Sequence, residues 1–67
     1  MRYEVRQIVN SVASNEKRMA KLAPLTGMAR FNKAIGYVVA EAQAQHVRLT
    51  QEEGGDAATV IIFHEGR

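Results

Sequence analysis

The 67-residue chain carries a formal net charge of +2 at pH 7, an apolar fraction of 46%, a charged fraction of 24% and no cysteine. Its length allows one domain, 1–67, and its ordinary composition excludes a disordered polymer. The missing cysteine excludes disulfides, Cys-type zinc sites and thiol catalysis, so a chain that buries only about 60% of its unfolded surface is expected to gain stability by association, as a homodimer.

Residues 2–9 alternate. Tyr3, Val5 and Val9 fall on one side with Gln7, and Arg2, Glu4 and Arg6 on the other with Ile8. Period two with β-branched and aromatic residues predicts a half-buried strand, which Asn10 and Ser11 end. Residues 14–23 predict a short helix with Ser14 as N-cap, Glu16 in the first turn and a narrow apolar stripe of Met19, Leu22 and Ala23. Pro24 must stop it, because proline lacks an N–H and disfavours helix at the residue before it.

Residues 26–45 give the clearest helix. Met28, Phe31, Ile35, Val38, Val39 and Ala42 recur at spacings that form one apolar face, and Thr26 is placed to cap the start. Residues 46–64 read as a β-hairpin. Val47 and Leu49 alternate with Arg48 and Thr50, Glu52 to Asp56 form a glycine-containing turn, and Thr59 to His64 follow as an apolar strand.

The predicted fold is therefore α+β: a small split β-α-β-β sheet of three strands in spatial order 1-3-2, with the long amphipathic helix and the short extra helix on one face. With the hairpin centred on Gly55, Val60 and Ile62 lie on the open face, rimmed by Arg2, Arg6 and Arg48. An apolar stripe edged by cations is an interaction surface, and these five residues are the partner-binding candidates. The same register sets His46 opposite His64, a pair read as surface histidines in preference to a metal site or pH switch.

Charge is unevenly placed. Arg2, Arg6, Lys17, Arg18, Lys21, Arg30 and Lys33 face only Glu4 and Glu16 in the first half, whereas Arg48 and Arg67 face Glu41, Glu52, Glu53, Asp56 and Glu65 in the second. Lys17, Arg18, Lys21, Arg30 and Lys33 are the candidate nucleic-acid contacts. Two features count against that use. Pro24 to Gly27 join a very short helix to a long apolar one, a poor helix-turn-helix, and the strands lack base-stacking aromatics, since most of Tyr3, Phe31, Tyr37 and Phe63 belong to the core.

The five glycines match no nucleotide loop, and no zinc-protease, EF-hand or nucleophile-elbow pattern is present. Three carboxylates in the Glu52–Asp56 turn fall short of the six to eight oxygens, roughly, of a calcium site. No cofactor, metal or enzymatic activity is expected. The opening Met1-Arg2-Tyr3-Glu4 has no apolar signal region and no segment approaches a membrane span, which predicts a cytoplasmic protein without membrane contact. The resulting expectation is a small non-enzymatic interaction protein that docks on a partner protein and regulates or inhibits it, by analogy with small bacterial or phage-type regulators. The alternative is a nucleic-acid-binding protein using its basic N-terminal half.

Overall fold

The computed structural model describes residues 1–65; Gly66 and Arg67, which enter the motif search and the charge balance above, lie outside the described residues. Among the described residues there are four helices and no strand: α1 Tyr3–Ala13, α2 Glu16–Leu22, α3 Gly27–Ala44 and α4 Gln51–Glu65. The expected three-stranded 1-3-2 sheet is corrected to an all-helical bundle. α4 packs on both α1 and α3, α1 also meets α3, and α2 bridges α1 and α3.

The first strand fails because a second period runs through the same residues. Val5, Ile8, Val9 and Val12 are all buried, and their spacing of three, one and three puts them on one side of a helix. Tyr3, which the alternation assigned to the covered face, is 71% exposed. The β-branched valines only shade propensity by tenths of a kcal/mol, roughly, so the burial pattern decides.

α2 starts one residue later than Ser14 predicts. Asn15 is its N-cap, accepting the Arg18 N–H at 3.1 Å, while the Ser14 hydroxyl turns back and donates to the Asn10 carbonyl at 2.8 Å, closing α1. Leu22 is fully buried and the helix stops there, before Pro24. α3 then opens at Gly27, whose φ of +55° belongs to the left-handed region that glycine enters without strain.

α3 buries Ala34, Val38 and Ala42, with Phe31 and Ile35 half-buried beside them. The predicted apolar face is present but rotated, since Met28 and Val39 remain exposed. The helix ends in a Schellman motif: the Val47 N–H donates to the Ala42 carbonyl at 2.8 Å and the His46 N–H to Gln43 at 3.2 Å. His46 occupies the left-handed position at φ 57°, where glycine is usual.

The predicted hairpin is absent. Val47 to Thr50 form an irregular link, and the supposed turn is the first part of α4. Thr50 and Glu53 make a reciprocal capping box: the Glu53 N–H donates to Thr50 Oγ1 and the Thr50 N–H to Glu53 Oε1, both at 3.1 Å. Gly54, Ala57, Ala58 and Ile61 are buried on one side of α4, again at helical spacing. Wrapped on that helix, the run from Val60 to Phe63 splits into an exposed Val60, a buried Ile61, a half-buried Ile62 and a 74% exposed Phe63.

The core is thus made of small and aliphatic groups, with Ile8, Leu22 and Ile61 its largest fully buried side chains. The aromatics assigned to it lie outside (Tyr3, Phe63) or at its margin (Phe31, Tyr37). Truncating a fully buried Leu22 in so small a core is expected to cost about 2–5 kcal/mol.

Candidate functional site

On α2, Leu22 and Met19 turn to the core, which leaves Lys17, Arg18 and Lys21 as helix-surface neighbours at spacings of one, three and four. Arg18 sits at the border with α3. Its guanidinium carbon is 5.3 Å from the Tyr37 ring centroid, and Lys33 Nζ is 5.6 Å from the same centroid. Two cations therefore share one aromatic platform, each gaining about 0.5–1 kcal/mol at such a partly exposed ring.

A carboxylate fixes this junction. Arg18 Nη1 donates to Glu41 Oε1 at 3.0 Å. Glu41 Oε2 accepts from Gln45 Nε2 at 2.9 Å, and Gln45 donates also to Ser11 Oγ at 3.1 Å. Arg30 Nη2 donates to the Ala23 carbonyl at 3.1 Å, tying the first half of α3 to the end of α2. Arg18 and Arg30 thus hold the two helices together, and Lys17, Lys21 and Lys33 are the exposed cations of this rim, with no ion pair among the described residues.

The face beside that rim is defined by what it lacks. The exposed residues of α3 are Gly27, Met28, Ala29, Asn32, Lys33, Gly36, Val39, Ala40, Gln43 and Ala44. None is a carboxylate, and Glu41, the single acid of α3, is half-buried and bound to Arg18. The second-half acids Glu52, Glu53 and Asp56 stand on α4. The charge split along the chain becomes a split between helices.

Without a sheet, the other candidate set has no common open face. Arg2 clips the start of α1 to the start of α4, with Nε donating to Glu53 Oε2 at 2.6 Å, Nη2 to Glu53 Oε1 at 3.0 Å and Nη2 to the Arg48 carbonyl at 2.9 Å. The two Arg2 bonds to its carboxylate, with the Thr50 N–H, hold the Glu53 carboxyl below its ordinary pKa. Arg2 and Val60 line one cavity of about 380 Å³ with Val5, Glu53, Asp56 and Thr59. Arg6 and Arg48 are exposed, and Ile62 packs on the core. A second cavity of about 450 Å³ lies between α3 and α4, lined by Phe31, Ile35, Val39, Leu49, Thr50, Gln51, Gly54 and Gly55, with no ionisable side chain.

His46 and His64 stand at the end of α3 and in the last turn of α4, so the hairpin that would set them opposite each other does not exist. No group of three or more His, Asp or Glu placed to hold a metal occurs among the described residues, and no helix of theirs is long and apolar enough to cross a membrane. Sequence reasoning missed Tyr37 and Glu41 as parts of the basic site. The signal was the row Lys33, Tyr37, Glu41, Gln45, spaced by four along one side of α3. Comparison with protein families, curated proteins and solved structures finds no match for this chain.

Proposed function

We propose that the protein is a non-enzymatic nucleic-acid-binding module that uses the α2–α3 rim. The observation that carries this reading is the carboxylate-free outer face of α3 beside the exposed Lys17, Lys21 and Lys33. A solvated helix normally mixes charges, because carboxylates interspersed with lysines relieve self-repulsion. The outer face of α3 keeps one cation, Lys33, among neutral groups, and with the exposed Lys17 and Lys21 of α2 beside it it suits a polyanion, whose condensed counterions are released when lysines replace them.

The size of the effect follows from the number of cations. Lys17, Lys21 and Lys33, the exposed cations of the rim, give about three phosphate contacts, hence a slope of log K against log salt of about −2.7 for a duplex. Fluorescence anisotropy with labelled mixed-sequence nucleic acid at 50 and 200 mM salt tests this. Binding weakens roughly 40-fold across that range, and the Lys17→Glu/Lys21→Glu variant does not bind. Unchanged affinity of that variant removes the site.

The protein-docking reading rests on a different observation, the apolar cavity between α3 and α4. A lining without ionisable groups suits an uncharged apolar side of a partner protein, as in helix-in-groove recognition. Gly55→Glu, which puts a carboxylate in this cavity from α4 and leaves the outer face of α3 untouched, would abolish such docking while sparing nucleic-acid binding; a partner still bound by that variant removes the cavity as the docking site.

A further inference from the structure

Resting on the nucleic-acid reading, we infer that the ligand is duplex DNA and that the outer face of α3 enters its major groove. α2, a four-residue connection Ala23–Thr26 and α3 form a helix–turn–helix arrangement. The apolar character of α3 that argues against this use in the sequence belongs mostly to its inner side, where Ala34, Val38 and Ala42 are buried. Arg18–Glu41 and the Arg30 bond to the Ala23 carbonyl lock the two helices, so the lysines of α2 and the outer face of α3 move as one body.

That outer face has the shape and chemistry of a reading surface. Ala29, Asn32, Gly36, Ala40 and Gln43 follow one another at spacings of three and four, all exposed, and so form a stripe along a helix about 27 Å long. Three of the five have no side chain beyond Cβ, which lets the helix backbone approach a groove floor. Asn32 and Gln43 carry amides, the groups that pair with adenine N6 and N7 in the major groove. Met28 and Val39, exposed at one edge of the stripe, offer apolar contact to thymine methyls. Lys33 marks the other edge, the side on which α2 packs through Arg18 at the Tyr37 ring, and α2 carries the exposed Lys17 and Lys21, so cations stand on the side where phosphates flank an inserted helix.

The geometry also selects the duplex. A B-form major groove about 12 Å wide admits a helix, whereas the deep, narrow major groove of A-form RNA does not. The decisive variant is Gly36→Glu. A Cβ at Gly36 meets no atom within 4 Å, so the protein folds, but a carboxylate now faces the groove floor.

The test compares binding of the full chain and its variants to mixed-sequence duplex DNA, duplex RNA of the same sequence and single-stranded DNA at equal salt, with circular dichroism confirming folding. Duplex DNA is expected to bind at least about tenfold tighter than duplex RNA, and Gly36→Glu to lose that preference. Lys17→Ala and Lys21→Ala each lower the salt slope by about 1 on every nucleic acid. Asn32→Ala leaves the slope intact and flattens the base preference recovered by selection from a randomised duplex pool. Equal binding of duplex RNA and DNA, or full binding by a folded Gly36→Glu variant, overturns the major-groove inference while the nucleic-acid reading stands. No binding to any of the three overturns both.

Discussion

Replacing His46 by glycine is expected to stabilise the protein. His46 is the one non-glycine residue with positive φ among the described residues, at 57°, in the C′ position of the Schellman motif that ends α3. An L-residue held there pays about 1–2 kcal/mol in contact between Cβ and the backbone. Glycine removes that cost but gives the unfolded chain more freedom, which returns about 0.4–1 kcal/mol. The imidazole is exposed and makes none of the side-chain hydrogen bonds found among the described residues, so its removal carries little compensating loss. The net gain is about 0.5–1 kcal/mol, and in a domain of this size 1 kcal/mol corresponds to about 4–8 °C in Tm. Urea denaturation followed by circular dichroism reads it as a higher midpoint at unchanged m value. His46→Ala is the control, with no gain, because alanine keeps the Cβ. If the glycine variant is no more stable than wild type, or if alanine matches it, strain at this position is not what the motif carries.

Four further substitutions probe other parts of the structure. Gly55→Ala should raise stability by about 0.5–1 kcal/mol in thermal melts, since glycine is a poor helix residue and an added Cβ meets nothing within 4 Å; a loss would mean that α4 needs glycine there. Tyr37→Phe should be neutral or stabilising by up to about 1 kcal/mol, because Tyr37 Oη is shut off from water with no hydrogen-bond partner among the described residues, and a clear loss by urea titration would reveal a partner for the hydroxyl. Thr50→Ala should cost about 1 kcal/mol through the α4 N-cap. The Glu53 carboxyl titrates below its ordinary pKa in the folded state, so its contribution is complete above the unfolded carboxyl pKa and disappears as pH falls through the lower folded value. Acid titration of Glu53→Gln should therefore show a shallower decline in stability than wild type, and parallel curves would refute the assignment.

Much of the middle of the chain was legible and its flanks were not, for a reason that lies in particular residues. α2 and α3 have unambiguous periods and a proline between them, and their edges fall within two residues of expectation. In α1 two periods compete: Tyr3, Val5, Gln7 and Val9 alternate, while Val5, Ile8, Val9 and Val12 follow a helix. Only the second extends past Asn10 to Val12, and that extension was the discriminating fact. In α4 the pair Gly54–Gly55 resembles a turn, but Thr50-x-x-Glu53 immediately before it is a helix-start signal. Glycines flanked by such a cap and by Ala57–Ala58 are helix interior, one of them buried. The basic residues of the candidate rim were readable as a set, but not the division of labour among them. That Arg18 and Arg30 brace helices while Lys17, Lys21 and Lys33 face solvent depends on Glu41 and the Ala23 carbonyl, partners fixed only by the packing of α2 on α3.

The Arg2–Glu53 bond joins residues 51 positions apart, and Glu53 is at the same time half of the box that starts α4. The first turns of α1 and α4 therefore share a single latch. Opening the first turn of α1 strips Glu53 of its guanidinium and loosens the first turn of α4, so these two helix starts should breathe as one cooperative unit although α2 and α3 lie between them in sequence. Amide protons at the start of α4 would then exchange with solvent in step with those of α1, and a local event at the amino terminus would be felt where the last helix begins.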